Sequence, residues 1–167
     1  MSTRATSPRI SIRAYASTDA EPTMRIFQEA IRVTASLDYT PEQLAAWARS
    51  QQRDLSTWDA SMRRRHSYVA VVNERLAGFS DVSESGYIDM MYVAPEFAGR
   101  GVARELITFL EERAQSYGAR RLTANVSITA RAFFEAVGFA VEAEQYPAVD
   151  DVVLTNYRMA KDLESRD

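Results

Sequence analysis

The chain contains no cysteine. That excludes disulfides, a thiol nucleophile, iron–sulfur clusters and cysteine-based zinc sites together. His66 is the only histidine, so histidine-pair metal centres are excluded and no metal is expected. Lys161 is the only lysine among 20 basic residues, the arginine bias of a GC-rich genome. The 23 acidic residues leave a net charge of −3. Without a basic excess, neither nucleic acid nor an anionic membrane surface is an expected partner. Long apolar runs are also missing. The longest, such as Tyr68–Val72, are strand-sized and far below the ~20 residues that span a bilayer. The opening MSTRATSPR carries arginines but no apolar segment follows; it does not read as a secretory signal, and a cytoplasmic protein is expected.

What is there suits one globular domain: 167 residues, 46% hydrophobic, enough to bury a core. Residues 1–9 read as a disordered N-terminus, 10–162 as the domain and 163–167 as a tail. Ile10–Tyr15 alternates as a strand. From Asp19, Met24, Phe27, Ile31 and Ala35 recur at helical spacing. Thr40, Pro41 and Gln43 form a capping box with proline at the first helical position, so a helix starts there; it carries Leu44 and Trp47 on one face. A polar stretch ending in Arg63–Arg65 follows. Tyr68–Asn73, Leu76–Val82 and Tyr87–Val93 then read as three strands of an antiparallel meander. Pro95 stops the third, and a loop at Glu96–Gly101 opens a helix whose apolar stripe is Val102, Leu106, Phe109, Leu110 and Ala114, closed by Gly118. Leu122–Val126 is the next strand, so strands three and four form a parallel βαβ pair. A short helix, Thr129–Ala136, precedes a closing strand pair, Phe139–Tyr146 and Val152–Met159. The fold class expected is α/β (α+β), a mixed sheet with helices on both faces.

The chemistry concentrates in YIDMMYVAPEFAGRGVARELI, residues 87–107. A strand delivers the chain to a loop with Gly99 and Gly101, and the loop opens a helix. The first amides of a helix lack internal partners and its N-terminal end is partially positive. Glycines let a phosphate approach the backbone, and Arg100 and Arg104 add charge-assisted donors. The expectation is a phosphate or pyrophosphate site. A Walker A loop would need a Gly-Lys-Ser/Thr end, and a Rossmann loop a third glycine where Arg104 stands; neither fits.

The stretch resembles the GNAT superfamily of acyl-CoA-dependent N-acetyltransferases, whose loop reads (Gln/Arg)-x-x-Gly-x-(Gly/Ala) after a strand ending in Val-x-Pro. Here Val93-Ala94-Pro95 is followed by Ala98-Gly99-Arg100-Gly101-Val102-Ala103. Ala98 replaces the usual first residue. Ala130, Phe133, Phe134, Gly138 and Phe139 match the family's A-x-x-F-Y-x-x-x-G-F block, with Phe134 at the usual tyrosine and Ser127 at the usual asparagine. The order of elements agrees across Ile10–Lys161. Asp38–Trp47 and Asn156–Met159 resemble an uncharacterised bacterial branch. The resemblance implies the GNAT fold: about seven mostly antiparallel strands with a central splayed parallel pair.

It also implies acetyl-CoA as acyl donor and a small-molecule amine as acceptor, in a monomer or homodimer. The splayed strands would clasp pantetheine between Met91, Tyr92 and Val93 on one side and Asn125–Ser127 on the other. Residues 99–104 would hold pyrophosphate, and Ala130, Phe133 and Phe134 would flank the donor. A backbone N–H near Tyr92 or Val93 would polarise the thioester carbonyl. Asp89 is the acid nearest that segment and the candidate base or amine anchor; strand alternation puts it on one face with Tyr87, Met91 and Val93. A cross-strand carboxylate without catalytic part is the other reading. Since Phe134 has no hydroxyl, Tyr146, Tyr87 or water would protonate the leaving thiolate. Tyr39 and Trp47 would line the acceptor pocket, although a helix tryptophan also reads as core. His66 reads as exposed, Arg63–Arg65 as a solvated helix end or an adenosine-phosphate contact, and Met90 and Met91 as strand fillers. Alternative functions are a non-catalytic acyl-CoA-binding sensor and an acetyltransferase acting on a protein amine.

Overall fold

The computed structural model describes residues 9–50 and 54–164. The expected N-terminal disorder and C-terminal tail therefore fall largely outside the described residues. The chain runs β1 (Ile10–Ala14), α1 (Ala20–Arg32), α2 (Pro41–Ser50), α3 (Leu55–Arg64), β2 (Tyr68–Val72), β3 (Arg75–Ser80), β4 (Tyr87–Ile88), β5 (Met91–Val93), α4 (Val102–Ser116), β6 (Arg121–Ser127), α5 (Arg131–Ala136), β7 (Ala140–Gln145), β8 (Ala148–Val149), β9 (Val152–Val153) and β10 (Asn156–Asp162). The mixed α/β class is as expected, mostly antiparallel with one parallel pair.

The predicted third strand is not continuous. Its first half, β4, pairs in parallel with β6, and its second half, β5, pairs antiparallel with β3. The single expected sheet is thus two four-stranded sheets, β1-β2-β3-β5 and β4-β6-β10-β7. They share the third strand and splay apart where it breaks.

Two further boundaries differ. Val152–Met159 divides, because Val152–Val153 folds back on Ala148–Val149 as a hairpin and only β10 joins the sheet, between β6 and β7. The polar stretch before β2 contains α3, capped by Asp54, whose side chain accepts from the Thr57 amide at 2.7 Å. Its buried face is Trp58 and Met62, one turn apart.

The sheet has helices on both faces. Neighbouring strand residues point to opposite sides. An added Cβ on Gly78 would lie 3.3 Å from Val102 of α4, whereas the Phe79 ring packs edge-on against Trp58 of α3. Phe27 of α1 meets both Trp58 and Tyr92. The second core joins α4 and α5 to the other sheet through Leu110, Leu122, Phe134, Phe139 and Met159. At about 25 cal/mol per Å² of apolar surface, these clusters are the main source of stability. The capping box at α2 forms reciprocally: the Gln43 amide donates to Thr40 Oγ1 at 3.2 Å and the Thr40 amide to Gln43 Oε1 at 2.9 Å.

Candidate active site

The splay opens a cleft of about 500 Å³, within the range of small-molecule sites. Its floor is made of backbone whose direction follows from strand pairing. The Ala94 amide donates to the Ala77 carbonyl at 2.8 Å, so in an antiparallel ladder the Tyr92 amide also faces β3, opposite Phe79. The amides of Met91 and Val93 then point away from β3, into the cleft. Of the two expected carbonyl-polarising positions, Val93 has the free amide and Tyr92 does not. Across the cleft, the Thr123 amide donates to the Gly86 carbonyl at 3.0 Å. By the same alternation the Asn125 amide meets the Ile88 carbonyl at the end of β4, and the Asn125 carbonyl and the Ser127 backbone groups turn to that side beyond it.

At one end the cleft meets the loop before α4. Gly99 and Gly101 have φ of +74° and +86°, a region that L residues other than glycine rarely occupy. Nothing lies within 4 Å of where a Cβ would stand on either. Gly101 caps α4 without any side-chain acceptor on the first helical amides. Gly99, Gly101, Ala103 and Arg104 all line the cleft. Open space over the backbone, unpartnered helix amides and an exposed arginine suit a phosphorylated ligand, so the residues present fit coenzyme A. Arg100 is on the loop but outside the lining; its guanidinium lies 5.7 Å over the Phe97 ring. Val102 is buried in the core.

The other end is apolar. Trp47, Ala30, Thr34 and Ala35 line it beside Tyr92. The Trp47 indole donates to the Tyr92 hydroxyl at 3.2 Å, and burial raises the Tyr92 phenol's pKa far above its ordinary value. Tyr39 is buried behind this end: its hydroxyl donates to the Thr155 carbonyl at 2.7 Å and accepts from the Ile128 amide at 2.9 Å. Tyr39 itself is not among the lining residues.

Ala130, Phe133 and Phe134 of the α5 segment do line the cleft, with Phe134 edge-on to Phe133 and Phe139. Tyr146 lies outside the lining, 64% exposed, and the neighbouring Glu144 raises its pKa. Tyr87 also lies outside it; its hydroxyl accepts from Asn125 Nδ2 at 3.4 Å, and burial followed by the Asp89 charge raises its pKa.

Asp89 lines the middle of the cleft at the break between β4 and β5. Period-two alternation does not carry through this break. Consecutive strand amides point to opposite sides, yet the amides of Asp89 and Met90 both donate to Asp81, at 2.8 and 3.1 Å. Asp81 is 3% exposed. Burial raises its carboxyl pKa to about 6, against the opposing pull of the Asp89 amide and the Arg65 charge. Arg65 ends α3 and lies 3.4 Å from Asp81 and 3.5 Å from Asp89. It is thus a half-buried bridge rather than part of a solvated run. Sequence reasoning missed both Asp81 and Arg65. An acidic residue inside the otherwise uncharged run Leu76–Val82 was the available signal.

This architecture has known counterparts. Residues 35–161 match the family model described as the acetyltransferase (GNAT) domain. An uncharacterised N-acetyltransferase of Escherichia coli strain K12, YafP, is 37% identical over 150 residues, covering 90% of this chain and 94% of that protein. The crystal structure of a GCN5-related N-acetyltransferase from Rhodopseudomonas palustris, described as an aminotransferase of class II, superposes with a TM-score of 0.88 at 30% identity, covering 98% and 100%. The PaiA N-acetyltransferase of Thermoplasma acidophilum, solved with coenzyme A, shares the fold at 18% identity, with a TM-score of 0.74 and coverage of 92% and 99%. Fold and relatives together define an N-acetyltransferase. The chain belongs to the GNAT acetyltransferase family.

No helix among the described residues is long and apolar enough to cross a membrane.

Proposed function

We propose that this protein transfers the acetyl group of acetyl-CoA to the primary amine of a small molecule by direct attack. The observation that carries the reading is the meeting, in one cleft, of free β5 amides, a glycine–arginine loop at a helix N-terminus and one carboxylate. Acetyl-CoA, when bound, supplies the acetyl group as a thioester and departs as the thiol. Gly99, Gly101 and the amides opening α4 would hold its pyrophosphate, with Arg104 as counter-charge and Arg100 at the rim. The backbones of Met91–Val93 and Asn125–Ser127 would pair with the pantetheine arm, while Ala130, Phe133 and Phe134 shield it from water.

The Val93 N–H is the donor aimed where negative charge develops on the acyl oxygen. Such a donor contributes roughly 3–4 kcal/mol to the transition state. The Val93→Pro substitution removes that N–H without removing a β3 ladder bond, since Val93 does not donate to β3. Turnover should drop by about 10²–10³ with the thermal midpoint nearly unchanged. A variant of normal turnover would exclude this amide.

The acceptor would enter from the apolar end between Trp47 and Tyr92. The single carboxylate in the cleft lining, Asp89, suits an acceptor with one positive charge. Asp89 would anchor the ammonium and take its proton at a carboxylate oxygen, directly or through water. Coenzyme A thiol is acidic enough to leave through water, so neither Tyr146 nor Tyr87 need act as acid.

The reading is tested by thiol release from acetyl-CoA over a panel of amines. Release that no amine stimulates would sink it. Arg104→Ala should weaken coenzyme A binding about tenfold, the low end for a charge-assisted contact at an exposed site. Calorimetry at two salt concentrations checks this, since the lost increment should shrink as salt rises.

A further inference from the structure

The break in the third strand is built by side chains outside the cleft. We propose that Asp81 is a positioning residue: its buried carboxylate, braced by Arg65, makes that break and so sets Asp89 against the β5 amides. The inference rests on the acyl-transfer reading above.

The geometry is specific. Asp81 follows β3 directly, and its two oxygens take consecutive amides, Oδ1 that of Asp89 and Oδ2 that of Met90. The Ser80 hydroxyl donates to the Met90 carbonyl at 2.7 Å. Residues 89 and 90 are therefore tied by side chains where a regular strand would use ladder bonds. Upstream of the tie the chain pairs with β6, and downstream it pairs with β3. The tie sits at the switch from one sheet to the other and takes the two amides that a continuous strand would place on opposite sides.

Arg65 supplies the counter-charge. Its guanidinium lies between the Asp81 and Asp89 carboxylates and rests on the sulfurs of Met62 and Met90, at 3.2 and 3.3 Å. Arg65 from α3 and Asp89 from the break are the charged groups that Asp81 faces. Two acids share one cation, so the group carries one net negative charge beside the site where an amine must arrive. Protonation of Asp81 removes an acceptor lone pair from the tie and part of Arg65's counter-charge. Acetyl transfer should accordingly fail on the acid side of about pH 6, where Asp81 titrates.

The test follows the amide proton and nitrogen resonances of Asp89 and Met90 as pH falls, in the intact wild-type protein. Both should shift together with one midpoint of about 6. Signals that do not move, or that move with separate midpoints, would overturn the proposal. In R65Q the shared midpoint should rise, because the carboxylate loses the cation that lowers it; an unmoved midpoint also overturns it. In D81N, kcat should fall roughly 30-fold, the scale of hydrogen bonds lost to a charged group, with KM for acetyl-CoA little changed and the acid limb moved away from about pH 6. Wild-type turnover with an unmoved acid limb in D81N would refute the role, as would loss of acetyl-CoA binding in proportion to kcat. If D81N does not fold, the wild-type and R65Q titrations decide alone. They need no turnover, so a wild-type protein that acetylates no amine would sink the acyl-transfer reading while these resonances still report on the tie.

Discussion

Asp89→Asn should lower kcat by about 10²–10⁴, the usual contribution of a positioned general base, while leaving coenzyme A affinity intact. The substitution is close to isosteric and spares the fold for a definite reason. What ties residue 89 to Asp81 is its backbone amide, which asparagine keeps. Arg65 also retains Asp81 as a counter-ion at 3.4 Å. The loss therefore isolates the carboxylate charge. An alkylamine of pKa ~10 costs about 4 kcal/mol to deprotonate at pH 7, at 1.36 per unit, and Asp89 is the acid in the cleft lining placed to take that proton. The pH profile separates a base from an anchor. Without a base, the rate depends on amine already free in solution, which grows about tenfold per pH unit up to the amine's own pKa. The variant should then recover steadily in alkali. If Asp89 only anchors the ammonium, the variant's KM for the amine rises and alkali does not restore the rate. Unchanged turnover at neutral pH would remove Asp89 from both roles.

The parts of this fold that follow from short-range rules were legible in the sequence. The capping box at Thr40–Gln43 needs only neighbouring residues, and its two reciprocal bonds are present. The glycine–arginine loop was legible because positive φ and a helix N-terminus are local properties; which of its side chains face the cleft was not, since Arg100 lies outside the lining and Val102 in the core. Helix α3 escaped because only Trp58 and Met62 mark its buried face, too sparse a stripe to show a period, although Asp54 and Thr57 carried the cap. The broken strand was illegible for a different reason. YIDMMYV alternates well enough to read as one strand, and what interrupts it is a carboxylate eight residues earlier, held by an arginine from another helix. Tyr87 was misplaced beside Met91 and Val93 by the same error, since a period of two cannot be counted across a break. The acceptor-side residues divided along similar lines: Trp47 reaches the cleft, whereas Tyr39 bonds the Thr155 carbonyl and the Ile128 amide.

Gly86→Ala should destabilise the protein by roughly 2–5 kcal/mol, combining a left-handed backbone cost with overpacking. Gly86 has φ of +90°, and a Cβ there would stand 1.9 Å from the Arg121 carbonyl oxygen. No rotamer change relieves a clash between a Cβ and a backbone atom, so one strand must move. The contact lies at the start of the parallel pair that ties the third strand to the second sheet: the Gly86 carbonyl accepts the Thr123 amide, and β4 pairs with β6 only through Tyr87–Thr123 and Ile88–Ala124. So short a parallel pair has little to set against the displacement. For a chain of this size the thermal midpoint should fall by about 10 °C, and coenzyme A binding should weaken with it as β4 leaves β6 and the cleft loses its shape. Gly118→Ala is the control. Gly118 has nearly the same φ, +85°, but nothing lies within 4 Å of its Cβ position. It should cost only the backbone strain, about 1 kcal/mol, and leave coenzyme A binding alone. Equal midpoints for the two variants would mean that the close approach of Gly86 to β6 does not hold the splay.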